Sequence, residues 1–303
     1  MDLAYISFRQ ILIMVIIMAV GLLCAKTGLI NDAAKKQLSN MLLVLINPLL
    51  ILLSYQRPFN EELLHGLLLT ILLGFMSFMI AVVVSHTIYR NRGGKDYGLE
   101  RFAAIYPNSA FLGIPLIYGI FGSEGVFYLT GYLTVFFIFF WTHGMITMSG
   151  KRDFSTIKKA VISPPLLAIF LGFAMFVLGI QIPEIVYTPL SLLGGLNTPL
   201  AMLVAGASIY GASIIKILSD KRIYALCALR LIILPGLTML ALMPFNIPPM
   251  LRVIVVVISA CPIAINLILL AHKYDKDYLY ASQAFAASTI LSLGTIPLLL
   301  MFL

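Results

Sequence analysis

Apolar runs of about 18 to 25 residues recur from one end of this chain to the other, and no polar stretch of domain length separates them. A run of that length crosses a hydrocarbon core about 30 Å thick as an α-helix, which satisfies its own backbone hydrogen bonds, as lipid requires. Of the 303 residues, 61% are hydrophobic and only 11% are charged, and the mean hydropathy is +1.04. No water-soluble domain of this length has such a composition. The chain therefore reads as one all-α, integral membrane domain over 1–303. Cys24, Cys227 and Cys261 sit inside apolar runs without CxxC or metal-like spacing, which argues against a disulfide framework and a zinc site. The first run is too long for a secretory signal and no small-residue cleavage site follows it, so it reads as the first span.

Ten spans are expected, near residues 7–29, 38–55, 63–89, 101–121, 124–149, 162–180, 185–210, 222–243, 250–271 and 278–302. The most polar connection, "SGKRDFSTIKKAVISPP", divides them five and five. With the N-terminus and C-terminus outside the cell membrane, sixteen of the twenty Lys and Arg residues fall on the cytoplasmic side, as retention of basic residues there demands. The net charge of +8 then faces an anionic lipid leaflet, and no nucleic-acid partner is needed to explain it.

An odd number of spans per half inverts the second half, so 1–150 and 160–303 read as an inverted repeat. Span 2 carries Asn47-Pro48 and span 7 carries Asn197-Thr198-Pro199, 150 residues later. Span 4 is interrupted by "YPNSAFLGIP" at Pro107 and span 9 by "ACPIAIN" at Pro262, 155 residues apart. A proline lacks a backbone N–H and suits the start of a helix, so each break is read as ending one half-helix and starting another. Two half-helix N-termini aimed at the midplane form an anion site, with Asn108, Ser109 and Asn266 adding side-chain hydrogen bonds. A single such break is more simply a proline kink; a matched pair with polar residues points to a transporter's binding site.

All twelve acidic residues lie in or beside connections, which disfavours a cation exchanger with a buried carboxylate. Two ionisable groups lie within spans. Arg230 reads either as snorkelling toward Lys221 and Arg222 or as an electropositive wall of an anion path. His143 reads either as a proton relay or as a hydrogen-bonded structural histidine. Tyr128, Tyr132 and Trp141 are packing residues or aromatic site walls. The sequence contains no GxxxxGK[ST], HExxH, GxSxG or TVGYG-like motif, which removes support for an ATP-driven pump, an intramembrane hydrolase or a selective ion channel. A non-enzymatic secondary carrier is the expectation, with a non-transporting membrane sensor or a passive channel as the alternative.

These segments resemble the auxin efflux carrier family. "YPNSAFLGIPLIYGIFG" and "ACPIAINLILLAHKYDKD" are similar to its two crossover helices, "NTPLAMLVAGASI" to its seventh span and "ALRLIILPG" to the arginine-to-proline segment of its eighth. The resemblance runs over nearly the whole chain. It implies ten transmembrane helices as two inverted five-helix repeats with broken helices 4 and 9, a bile acid/sodium symporter-like and NhaA-like fold. Spans 1, 2, 6 and 7 would be a scaffold, and spans 3–5 and 8–10 a transport domain moving by an elevator-like mechanism in a homodimer. It marks Pro107 and Pro262 as the crossing, Asn108 as a substrate-site residue and Arg230 as a basic position of the family. Asn47, Asn197, Thr198 and His143 complete the candidate substrate set. The chain lacks the long central loop of the plant exporters and has Ile263 after Pro262, so a small organic anion such as a mono- or dicarboxylate is favoured over auxin. No cofactor is implied, and sodium and proton coupling both stay open.

Overall fold

The computed structural model describes residues 3–90, 97–150, 162–210 and 220–302, and among them the regular elements are helices joined by one isolated backbone bridge. In chain order these are α1 (Leu3–Lys26), α2 (Asp32–Ser54), α3 (Glu61–Ile88), α4 (Gly98–Ile105), α5 (109–121), α6 (123–149), α7 (Pro164–Leu178), α8 (Glu184–Ile209), α9 (Lys221–Leu242), α10 (Pro249–Ala260), α11 (Asn266–Lys273) and α12 (Tyr278–Leu300). The polar connection at the centre of the chain lies mostly outside the described residues, as do Arg92, Lys95, Lys151, Arg152, Lys158, Lys159 and Lys216.

Seven helical stretches among the described residues are long and apolar enough to cross a bilayer unaided. Fewer emerge than the ten expected spans for reasons the chain makes plain. The fourth and ninth expected spans are each two short helices, and the sixth, α7, has 15 residues. The helical backbone over Ser109–Ser149 is 41 residues long, about twice what a hydrocarbon core takes up at about 1.5 Å per residue. It is divided at Gly122, where φ 64° and ψ −151° are open to glycine and strained for any other residue.

Helix starts follow local chemistry. The side chains of Asn31, Asn60, Asp220 and Asp277 accept from the backbone N–H groups of Ala34, Glu62, Arg222 and Tyr280, capping α2, α3, α9 and α12. α1 runs along the 197–209 half of α8, while α2 packs on α7 and on the 184–195 half of α8; α3 packs against α4 and α6, α9 packs against α10, and α12 packs against α9, α10 and α11. The α1–α8 contact is backbone on backbone. A Cβ on Gly206 would lie 1.9 Å from the Met18 carbonyl oxygen, and one on Gly21 would lie 2.3 Å from that of Leu203. Small residues permit such an approach, and in lipid the dispersion it gains is a main source of helix association. Outward faces of α1, α7 and α8 stay apolar, with Phe8, Ile16, Leu23, Phe170, Leu171 and Ile185 exposed, as a lipid-facing surface requires.

The basic end of the bundle is tied by charge. Arg101 Nε donates to the Tyr89 carbonyl at 2.8 Å, and Arg222 pairs with the buried carboxylate of Glu100 and stacks over the Tyr280 ring, its guanidinium carbon 4.7 Å from the centroid. Glu100 is thus an acidic residue beside a connection that is folded inward and neutralised.

Four π-helical turns interrupt the helices among the described residues: Leu42–Ile46, Ser109–Gly113, Phe140–Gly144 and Leu229–Ile233. Each extra residue rotates the side chains that follow it and loosens the backbone ladder. Three of the four are followed within two residues by proline, at Pro48, Pro115 and Pro235, whose missing N–H would leave an α-helical acceptor unpaired. The expected site residues cluster here: Asn47 follows the first turn, Ser109 opens the second, His143 lies in the third and Arg230 in the fourth.

Candidate functional site

α4 and α10 both stop in the interior, and the extended segments that follow them pair side by side. Pro107 and Ile263 form an antiparallel bridge in which Asn108 N–H donates to the Pro262 carbonyl at 2.7 Å and Ala264 N–H donates to the Tyr106 carbonyl at 3.2 Å. Ile263 N–H donates to Ser288 Oγ of α12 at 3.1 Å. Buried peptide groups need partners, and these bonds supply them where the helices cannot. The prolines therefore sit in the extended crossing itself, Pro107 two residues before α5 and Pro262 four before α11, and not in the first turn of the new half-helices as expected.

The C-termini of α4 and α10 carry the remaining orphan groups, and one residue meets them. Arg230 is 2% exposed. Its Nε donates to the Cys261 carbonyl at 3.0 Å, one terminal nitrogen to Ala104 at 2.8 Å and Ile105 at 3.4 Å, and the other to Ser259 at 2.8 Å. Of the two readings of Arg230, snorkelling toward Lys221 and Arg222 is thus incorrect: its π turn swings the guanidinium inward, onto carbonyls that would otherwise lie buried without donors.

The charge balance at this point is simple. Two helix C-termini bring about −0.5 of a charge each and two N-termini, those of α5 and α11, about +0.5 each, so the dipoles cancel. The guanidinium adds one full positive charge and leaves the crossing electropositive. At the start of α5 the N–H groups of residues 109–111 have no intrahelical acceptor, because the ladder begins with Leu112 and Gly113 donating to the Asn108 carbonyl. The Ser109 hydroxyl is buried without a partner. Asn108 is 3% exposed and its side chain makes no hydrogen bond to the described protein; that of half-buried Asn266 makes none either. Among the described residues no group of three or more His, Cys, Asp or Glu side chains could hold a metal ion.

A family model described as a membrane transport protein matches residues 6–155 and 151–300. The chain belongs to this family, the auxin efflux carrier family. An uncharacterized transporter of Methanothermobacter thermautotrophicus is 28% identical over 302 residues, covering 96% of this chain and 97% of its own length. A second, from Methanocaldococcus jannaschii, is 24% identical over 299 residues, covering 94% and 95%. Similarity along the full length fits an integral membrane transport protein.

In this auxin efflux carrier family member the other candidate residues divide. Asn197 Nδ2 donates to Asn47 Oδ1 at 2.5 Å, and Asn47 Nδ2 reaches the Ala110 carbonyl at 3.5 Å, so the pair clasps α8 to α2 beside the first turn of α5. Both asparagines are buried, and Asn197 Oδ1 is left without a partner. Thr198 is half-buried beside them and makes no side-chain hydrogen bond. His143 stands apart from the asparagines, with Nδ1 2.9 Å from the Tyr106 hydroxyl. Tyr132 packs against Phe78 with ring centroids 5.3 Å apart, Tyr128 against Phe127 at 5.3 Å, and Trp141 against Phe140 at 5.4 Å, so all three take part in aromatic packing. Tyr106, Ser288 and His86 escaped the sequence reading. A serine in "ASTILS" or a histidine near a helix end carries no periodic signal; only the fold brings each to its partner.

Proposed function

We infer that this protein is a secondary carrier that moves a small organic anion, such as a mono- or dicarboxylate, through a site at the crossing. The observation that carries this reading is the electropositive balance there: Arg230 neutralises the two half-helix C-termini, while the N-termini beside Asn108, Ser109 and Asn266 keep donors to offer a carboxylate. The ligand brings the acceptors that the orphan donors lack. In this reading α1, α2, α3, the α4/α5 pair, α6, α7, α8, α9, the α10/α11 pair and α12 are ten crossings, arranged as two inverted five-helix repeats. α1, α2, α7 and α8 are the scaffold of a homodimer, and the remaining helices move against it, elevator-like, with both chain ends outside the cell membrane. The close α1–α8 packing supports a rigid scaffold, and the clustering of Arg101, Lys221 and Arg222 toward one end supports the orientation.

Uptake of labelled malate, malonate and indole-3-acetate into proteoliposomes tests the reading. Saturable flux of a carboxylate that falls at least about tenfold in both Asn108→Ala and Asn266→Ala is expected, since each loses about one charge-assisted hydrogen bond. Saturable flux untouched by both substitutions would place the site elsewhere. Flux that never saturates would make the protein a channel, and no flux of any anion would favour a sensor.

A further inference from the structure

His86 lies in the last turn of α3 and His143 in the π turn of α6, and their rings are 5.3 Å apart at 59°. Their proton positions follow from their partners. A phenol has one proton, and Tyr106 donates it to the Phe139 carbonyl at 2.9 Å, so His143 Nδ1, 2.9 Å from the same oxygen, must be the donor in that contact. The Val82 carbonyl accepts from His86 Nδ1 at 2.9 Å, so this nitrogen also carries a proton. Each neutral imidazole is thereby held in the tautomer that leaves the Nε2 lone pair bare.

We propose that His86 and His143 form a single proton-binding site, tied to the crossing by Tyr106. One proton binds either Nε2 without breaking any of the three hydrogen bonds that orient the rings. A second meets an imidazolium at about 5 Å, which at an effective dielectric near 20 separates the two binding steps by about two pH units. Around His143 the groups besides His86 are Arg101 and Tyr106, both from the α4 side, and the fixed charge of Arg101 adds to the penalty on double protonation. Tyr106 touches both functions: its hydroxyl meets His143, and its carbonyl accepts from Ala264 in the second break. Tyr106, which links the site to the crossing, directly precedes Pro107. The use of that proton rests on the carrier reading, in which it is the coupling ion; the site itself does not.

The test is NMR of the protein with isotope-labelled histidine in phosphatidylcholine nanodiscs, titrated across the range in which imidazole changes charge. The chain has four histidines, and the signals of His86 and His143 are separated from those of exposed His65 and His272 by assignment. Expected are two steps about two pH units apart for His86 and His143, with the Nδ1 protons retained throughout. In His86→Gln the two steps should collapse to one for His143, at a pH between them. In Tyr106→Phe the His143 tautomer should become mixed. Independent titration of the two rings in the wild type overturns the proposal, and that arm needs no variant to fold. A His143 midpoint unmoved by His86→Gln overturns it equally, and an unchanged tautomer in Tyr106→Phe removes the link to the crossing. Absence of carboxylate flux leaves these titrations as they are, so the carrier reading and the proton site fail separately.

Discussion

Replacing Arg230 separates two roles that the crossing assigns to one side chain, its charge and its hydrogen-bond fork. Arg230→Met keeps much of the volume but strands the carbonyls of Ala104, Ile105, Ser259 and Cys261. The three bonds at 2.8–3.0 Å matter most, and a buried acceptor without a donor costs about 1–3 kcal/mol. Against that loss of about 3–9 kcal/mol stands the desolvation of a buried guanidinium, several kcal/mol, which the neutral residue no longer suffers. Set against each other, the two effects give a net loss expected at about 3–5 kcal/mol. Arg230→Lys keeps the charge, but a point-like ammonium with three donors cannot span carbonyls of two different helices, so about half the loss is expected. Thermal unfolding of purified protein in detergent, followed by the fluorescence of the single tryptophan, Trp141, should rank the variants wild type, then Lys, then Met. At about 2 °C per kcal/mol for a chain of this size, the midpoints should fall by about 4 °C and about 8 °C. A Met variant melting within about 1 °C of the wild type would refute the carbonyl cap, and a Lys variant as unstable as Met would show that fork geometry counts for everything and charge for nothing.

Two further expectations concern the helices around the site. Gly206→Val should abolish monodisperse protein in size-exclusion chromatography, because its Cβ alone would lie 1.9 Å from the Met18 carbonyl; Gly236→Ala, with open space around it, should leave the profile unchanged. Asn197→Ala should cost about 1–3 kcal/mol by leaving Asn47 Oδ1 without its donor, whereas adding Asn47→Ala should cost little more, giving a coupling of at least about 0.5 kcal/mol in a double-mutant cycle of thermal midpoints. Additive losses would show that the two asparagines act apart.

The long apolar runs and the places where proline interrupts them determine an all-helical membrane protein, because lipid leaves the backbone no other way to satisfy itself, and a period of hydropathy is readable one residue at a time. The same reading picks out Pro107 and Pro262 and brings forward Asn108, Ser109 and Asn266, which do flank the breaks. It leaves Arg230 open between snorkelling and an electropositive wall, because the distance of a residue from a helix end is visible in a sequence and the face on which it projects through a π turn is not. It pairs the Asn47 and Asn197 segments by their spacing but cannot tell that the two side chains bond to each other. The half-helix N-termini are legible from the prolines; the C-termini meeting at the same point are not, although they decide the charge balance. What the chain alone determines is therefore the set of groups that need partners. Which group meets which is decided by tertiary structure: Arg230 joins carbonyls some 125 residues distant, Ser288 receives the N–H of Ile263, and His86 faces His143 only once α3, α4 and α6 have packed. The physical reason is that a buried polar group is satisfied by whatever lies within about 3 Å of it, and proximity on that scale across a membrane fold is set by helix packing.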